Sequence, residues 1–272
     1  TKKIFEGKSN GSMASRRLQF SPAIQSARKN NAEIEIFSLH SDKPSDFQEL
    51  KKSDICLIGK MSANTEALVH SMIVANLAAI TRLKNSGSTI VLQYCDNYLD
   101  SKGPLKDFYE DLFSLSDIIM FPCDALLNIS KKNLTSQHQV HIIKDPWQLS
   151  KWNNFQTLEL KKLEKIRLVW FGSNKNIPYL IKALPQLVTE ANKSFNYELT
   201  ILVLDYGLRK FKKVFPTFPQ RKNWTFRLVP WDNNKQPDQL EREIARAQIS
   251  ILPSDARDPL KFGVSHNRLV DS

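Results

Sequence analysis

Lys261, Ser265, His266, Asn267 and Arg268 crowd into one short stretch near the end of the sequence. They follow an apolar, β-branched run, Ile249 to Leu252, which reads as a buried strand, and a Pro/Ser/Asp loop beginning at Pro253. They coincide with the start of an apolar helical pattern, Phe262, Val264, Leu269 and Val270. A loop that leaves the carboxyl end of a parallel strand and enters a helix N-terminus is where an open α/β sheet takes anionic ligands. The chemistry this predicts is the holding of a phosphate or another anion by fixed cations and hydroxyls.

Other residues point the same way with weaker signals. Phe171-Gly172-Ser173-Asn174 lies between a strand and a helix. Glycine there lets backbone N–H groups approach a phosphate, although turn chemistry explains the same residues. Neither GxGxxG nor GxxxxGK[ST] occurs, so no dinucleotide fingerprint or P-loop is supported. Trp231 leaves a strand at the same edge and either stacks on a base or covers the rim of a domain. Asp96 and Asp100 follow the strand ending at Tyr94 and either face a cleft or cap their own loop.

The histidines, His40, His70, His138, His141 and His266, show no metal-ligand spacing, and only His266 sits among other reactive groups. Cys56, Cys95 and Cys123 lie in or just beyond apolar runs. Their odd number and the lack of a CxxC pair predict reduced core residues in a cytoplasmic protein. Arg209, Lys210, Lys212, Lys213, Arg221 and Lys222 interleave with Phe211, Phe215, Phe218 and Trp224. Such a segment binds single-stranded nucleic acid or an anionic membrane, or is a solvated face over buried aromatics.

The elements that must position these residues alternate in type. Strands are expected at Ile4-Phe5, Ile34 to Leu39, Asp54 to Ile58, Thr89 to Tyr94, Asp117 to Phe121 and Val140 to Ile143. Helical patterns are expected from Ser15, from Asn64 or Thr65 through Ile80, from Leu105 to Leu115 and from Asp124 to Ile129. After a proline-bearing connector the series restarts with strands at Ile166 to Phe171, Leu199 to Leu204 and Phe226 to Val229. A helix capped by Asn176 is expected to kink or split at Pro185, and another runs from Leu240 to Ala247. The alternation predicts an α/β chain of two domains, each a parallel sheet with helices on both faces.

Net charge is +11 with a sequence pI near 9.5, compatible with nucleic acid, an anionic membrane surface or phosphorylated small molecules. No apolar run approaches a membrane span, and no signal peptide is visible at Thr1 to Phe5.

Taken in order, several segments resemble the GT-B fold glycosyltransferases, in particular the large group-1 class (family 4-like) of retaining enzymes that use nucleotide-sugar donors. The segments are Ser15-Arg16, Ser116 to Leu126, Val140 to Pro146, Arg167 to Ser173, Ala245 to Ser254, and Lys261, Ser265 and Asn267 to Asp271. The resemblance implies two Rossmann-like domains facing a cleft: an acceptor domain over residues 1–147, a connector over 148–165 and a donor domain over 166–272. It implies a hexosyltransferase-like enzyme of polysaccharide biosynthesis, moving a sugar from a nucleoside-diphosphate sugar to a glycan or lipid-linked hydroxyl. By matching position, Asp271 would bind the donor ribose, and Lys261, Ser265, Asn267 and Arg268 the diphosphate and sugar. The catalytic candidates are then Lys261, Arg268 and Asp96. The donor-binding candidates are Gly172, Ser173, Asn174, Trp231, Phe262, Ser265, Asn267 and Asp271. No metal or other cofactor is expected, because fixed cations would carry the charge of the leaving diphosphate.

The sequence departs from the family pattern at defined places. The first member of the usual acidic pair falls on Gly263, Asp271 stands where Glu is usual, and only Lys175 approximates the basic pair after Gly172. Family members continue beyond the point where this sequence stops, so an incomplete donor domain is expected. The expected setting is cytoplasmic, peripheral at the membrane, with an anionic surface as a further partner and nucleic acid disfavoured. The alternative is a non-catalytic GT-B-like module that binds nucleic acid or an anionic membrane surface.

Overall fold

A computed structural model describes residues 21–33, 53–61, 66–144, 164–172, 176–204, 209, 211, 213, 221–231, 239–255 and 257. The chain divides into two compact units, the first sheet lying in one and the second in the other. The expected strands at Ile4-Phe5 and Ile34 to Leu39 and the connector up to 163 lie outside the described residues.

The first unit contains α1 (Ser21–Lys29), β1 (Ile55–Ile58), α2 (Glu66–Asn85), β2 (Thr89–Gln93), α3 (Pro104–Leu115), β3 (Ile118–Phe121), α4 (Asp124–Ser130) and β4 (Gln139–Ile142). A single 3-10 turn, Lys131–Asn133, follows α4. The four strands are parallel in the order β1-β2-β3-β4. Alternate residues of the strands, Ile58, Ile90, Leu92, Ile119 and Phe121, enter one core with Met72, Ile73, Ile80 and Leu83 of α2 and Phe108, Tyr109, Leu112 and Phe113 of α3. The period of two on the strands and of three to four on the helices is what closes that core. Helices α2, α3 and α4 all feed this core, while Val91 and Gln93, on the other face of β2, are buried as well. Sequential strand order with right-handed crossovers puts successive helices on one face. The expectation of a buried strand at 54–58 needs correction, since Ile55 is 64% exposed.

The second unit contains β5 (Lys165–Gly172), α5 (Ile177–Glu190), β6 (Asn196–Leu204), β7 (Trp224–Trp231), α6 (Gln239–Arg246) and β8 (Ile249–Ser250), in the strand order β7-β6-β5-β8. Here both faces are covered. Ile166, Leu168 and Trp170 of β5 pack with Ile177, Leu180, Leu184 and Val188 of α5. The intervening Val169 and Phe171 pack with Ile244 of α6 on the other side. Each such buried aliphatic side chain contributes about 1.5–3 kcal/mol of transfer free energy.

Three expectations shift in this unit. Helix α5 runs from Ile177 to Glu190 through Pro185 without splitting, because Pro185 lies on the exposed face while Leu184 and Val188 hold the helix to the sheet. Asn176 occupies the N-cap position but makes no side-chain capping bond. The run at 249–252 gives only a two-residue strand, and Ile249 is exposed.

Candidate functional site

The second sheet reverses its direction of growth once. From β5 the chain steps outward to β6 and β7, then returns to place β8 on the other side of β5. The carboxyl ends of β5 and β8 therefore stand side by side at this reversal, the kind of position where open α/β sheets take ligands. Gly172, the last residue of β5, is buried opposite Val203 in the register. Pairing of β8 is secured by Gln248 N–H donating to Arg167 O at 2.8 Å and Ile251 N–H donating to Val169 O at 2.8 Å. Beyond it, Asp255 accepts from Lys182 of α5 at 3.2 Å. The segment after β8 is thus tied to the helix whose N-terminus follows Gly172.

Of the expected donor residues, Gly172 ends β5, next to this reversal of strand order. Trp231 does not share it: it ends edge strand β7, two strands from β5, where Pro230 is tolerated because an edge strand needs fewer ladder donors. Ser173, Asn174, Lys261, Phe262, Ser265, His266, Asn267, Arg268 and Asp271 lie outside the described residues.

A second constellation stands at the carboxyl edge of the first sheet. Asp96, in the loop after β2, forms an ion pair with Lys60, in the loop after β1; their side chains are 17% and 31% exposed. The Lys60 ammonium also lies 5.8 Å from the centroid of the Tyr98 ring, within cation–π range. Tyr98 stacks on Tyr109 with centroids 4.6 Å apart and planes 5° from parallel. The Tyr109 hydroxyl accepts from Met61 N–H at 3.1 Å, and the Tyr94 hydroxyl from Leu99 N–H at 2.9 Å. The two strand exits are therefore cross-tied by charge, ring stacking and backbone hydrogen bonds.

Burial is the largest influence on Lys60 and acts to lower its pKa. The charge of Asp96, with Tyr98 and Cys95 behind it, reverses this and holds the ammonium above the ordinary lysine range. Burial pushes the phenols of Tyr94, Tyr98 and Tyr109 upward, so all three stay neutral hydrogen-bonding groups. Asp100 is turned away to Lys132 at 2.7 Å and Asn97 at 3.0 Å, and those bonds hold its carboxyl below the usual range. Of the two loop acids, Asp96 is the one paired across the strand exits, whereas Asp100 fastens its own loop. Its carboxylate can accept from a hydroxyl, with Lys60 fixing its position.

The basic-aromatic segment resolves into structural roles for the aromatics that are described. Phe211 is fully buried, with Arg209 and Lys213 exposed on either side of it. Trp224 is buried between Tyr197, centroids 4.7 Å apart, and Phe226, 5.9 Å apart. Neither ring is free to stack on a base. Cys56, Cys95 and Cys123 form no disulfide among the described residues, and burial pushes the Cys56 thiol upward. Among the described residues, no group of three or more His, Cys, Asp or Glu is placed to hold a metal ion.

No protein-family model matches the chain, and no curated protein matches it. Among solved structures it is similar to the Glycosylation Associate Protein (Gap123) complex from Streptococcus agalactiae, at 12% identity and a TM-score of 0.35 over 77% of this chain and 41% of that one. It is also similar to an alpha,alpha-trehalose-phosphate synthase (UDP-forming) from Burkholderia vietnamiensis, at 10% identity and a TM-score of 0.39 over 73% of this chain and 57% of that one. The chain thus spans about half the length of the structures it matches.

Proposed function

We propose that this chain belongs to a glycosyltransferase of the GT-B type, which moves a sugar from a nucleoside-diphosphate sugar to a hydroxyl of a glycan or lipid-linked acceptor. The observation that carries the reading is the switch point of the second sheet. The carboxyl ends of β5, which finishes at Gly172, and of β8 stand side by side there, and the sequence after β8 leads to Lys261, Ser265, Asn267, Arg268 and Asp271.

In the proposed reaction the bond from the anomeric carbon to the donor phosphate breaks, and a bond to the acceptor oxygen forms on the same face. The acceptor proton passes to the departing phosphate oxygen. Lys261 and Arg268 carry the negative charge that grows on the diphosphate, an interaction stronger in the transition state than in the ground state. Asp271 holds the ribose. Asp96, positioned by Lys60, accepts a hydrogen bond from the acceptor and orients it.

The test is titration of the protein with UDP-, GDP- and ADP-sugars, followed by amide exchange across residues 172–176 and 251–271, alongside an assay for donor hydrolysis. One nucleotide sugar is expected to protect both segments and to be slowly hydrolysed. Absence of both protection and turnover with every donor would overturn the reading. Salt-sensitive nucleic-acid affinity without donor binding would favour the non-catalytic module instead.

A further inference from the structure

The segment that leaves β8 is held to the second unit at two levels. At its base, Gln248 N–H donates to Arg167 O and Ile251 N–H to Val169 O, both at 2.8 Å. The Gln248 side chain adds a bond, its Oε1 accepting from Arg167 N–H at 2.6 Å. Strand β8 itself has only two residues, and Ile249 is 41% exposed. A strand this short has little of its own to resist opening. Just past it, Ile251 and Leu252 pack on opposite sides of the sheet, each only partly buried. Pro253 then brings no N–H to continue the ladder.

The second level is a side-chain contact between residues 73 apart in sequence. Lys182, in the second turn of α5, donates to Asp255 at 3.2 Å. The lysine side chain is 66% exposed and the aspartate 24%, so the carboxylate lies against the protein and the ammonium reaches over to it. Helix α5 continues the chain after β5, and Asp255 lies on the continuation after β8. The contact therefore joins the two chain paths that leave neighbouring strands at the reversal of strand order.

We infer that Lys182 is a positioning residue: its ammonium clasps Asp255 and fixes the course on which the chain leaves β8. An ion pair with one exposed partner is a small interaction. This one acts where backbone pairing has run out, and there a small interaction sets how often the last bond opens. The bearing of the clasp on a donor rests on the function proposed above. The chain beyond Asp255 leads in sequence to Lys261 and Arg268, and a segment already held on its course costs less to order when a ligand binds.

Amide exchange by NMR on the full chain, without ligand, reads the clasp directly. Lys182→Met should speed exchange at Ile251 about two- to fivefold. The amide of Gln248 and those of β6 should keep the parent's rates, which also reports that the fold is kept. Raising salt from about 0.05 to about 0.5 M should speed Ile251 in the parent and leave Lys182→Met unmoved, because screening acts only on the charged contact. Lys182→Arg should behave as the parent. In an Asp255→Asn background, Lys182→Met should change nothing further. The clasp is overturned if Ile251 keeps its parent rate in Lys182→Met, or if the lysine substitution has the same effect without the Asp255 charge. A second arm measures the dissociation constant of whichever nucleotide sugar the parent binds, which Lys182→Met should raise about two- to fivefold and Lys182→Arg should leave alone. An unchanged constant beside faster exchange at Ile251 would overturn the positioning role. Failure of every nucleotide sugar to bind would defeat the proposed function instead, and the ligand-free exchange would still decide the clasp.

Discussion

Lys60 and Asp96 hold each other at a depth where an ion pair has appreciable consequences. Both heads are mostly removed from water, so deleting one partner leaves the other desolvated and uncompensated. Asp96→Ala should therefore lower the unfolding free energy by about 1–3 kcal/mol, between the values for exposed and fully buried pairs, as read from urea midpoints. Midpoints equal to those of the parent would show that the pair contributes nothing. The same neighbourhood fixes how stability responds to alkali. Tyr94, Tyr98, Tyr109 and Lys60 all have folded pKa values raised above their ordinary ones. For each, the folded state keeps its proton to higher pH than the unfolded chain does. Their contribution is complete below the ordinary tyrosine and lysine range and is lost as pH climbs from there toward the raised values. Stability should fall above about pH 10, by up to about 1.4 kcal/mol per pH unit for each such group, measured as urea midpoints from neutral pH upward. A flat profile through that range would contradict the buried positions of these phenols. In the sequence Asp96 is visible as an acid beyond a strand, whereas Lys60 carries no pattern of its own. What pairs them is the parallel register, Ile58 beside Leu92, which brings the two strand exits together, Lys60 two residues past the end of β1 and Asp96 three past the end of β2.

At the scale of single elements, backbone geometry makes the sharper statements. Gly103 precedes α3 with φ of 101° and ψ of −177°, a conformation populated essentially only by glycine. A Cβ there meets no atom within 4 Å, so the cost of Gly103→Ala is conformational alone and is expected to be about 1–3 kcal/mol in thermal or urea unfolding. A neutral substitution would mean that the loop readjusts freely. Pro185 gives the opposite sign. It occupies the ninth of the fourteen positions of α5 and lacks the N–H that would bond to Ile181 O. Pro185→Ala restores that donor on an exposed face and should raise stability by about 1–3 kcal/mol; a fall would show that the proline is needed by a neighbour. Helix breaking at Pro185 was a fair expectation from local chemistry, and tertiary packing overrides it. The apolar stripe Ile177, Leu180, Leu184 and Val188 continues across the proline and is fully buried. Strand β7 outruns its expected end for a related reason. Pro230 and Trp231 interrupt the apolar pattern, yet an edge strand continues through them beside Val203 and Leu204. Lengths of this kind depend on which strand is an edge, and strand order is not written in local sequence.

For the molecule as a whole, the alternation of strand and helix signals was enough to announce two parallel α/β units, because each period reports directly on which face is buried. The switch point was legible only as a likeness, since nothing local distinguishes a strand that returns from one that steps outward. The net charge of +11 was legible as a number, and the structure now divides it. Phe211 and Trp224 belong to the core, while Arg209 and Lys213 face outward. Among the described residues no helix is long and apolar enough to cross a membrane. If this segment meets an anionic surface, the attraction is a matter of charge, without insertion of these two rings. Binding to vesicles containing phosphatidylserine should weaken at least tenfold between about 0.05 and 0.5 M salt, as the Debye length contracts from over ten ångströms to a few. Vesicles of phosphatidylcholine alone should not bind. Replacing Arg209 and Lys213 together by alanine should remove about 1 kcal/mol per charge, read by co-sedimentation at low salt with the urea midpoint checked in parallel. Affinity that ignored salt, or that survived on neutral vesicles, would require apolar insertion and would defeat the electrostatic account. Loss of affinity without loss of stability would locate the attachment on this one exposed face.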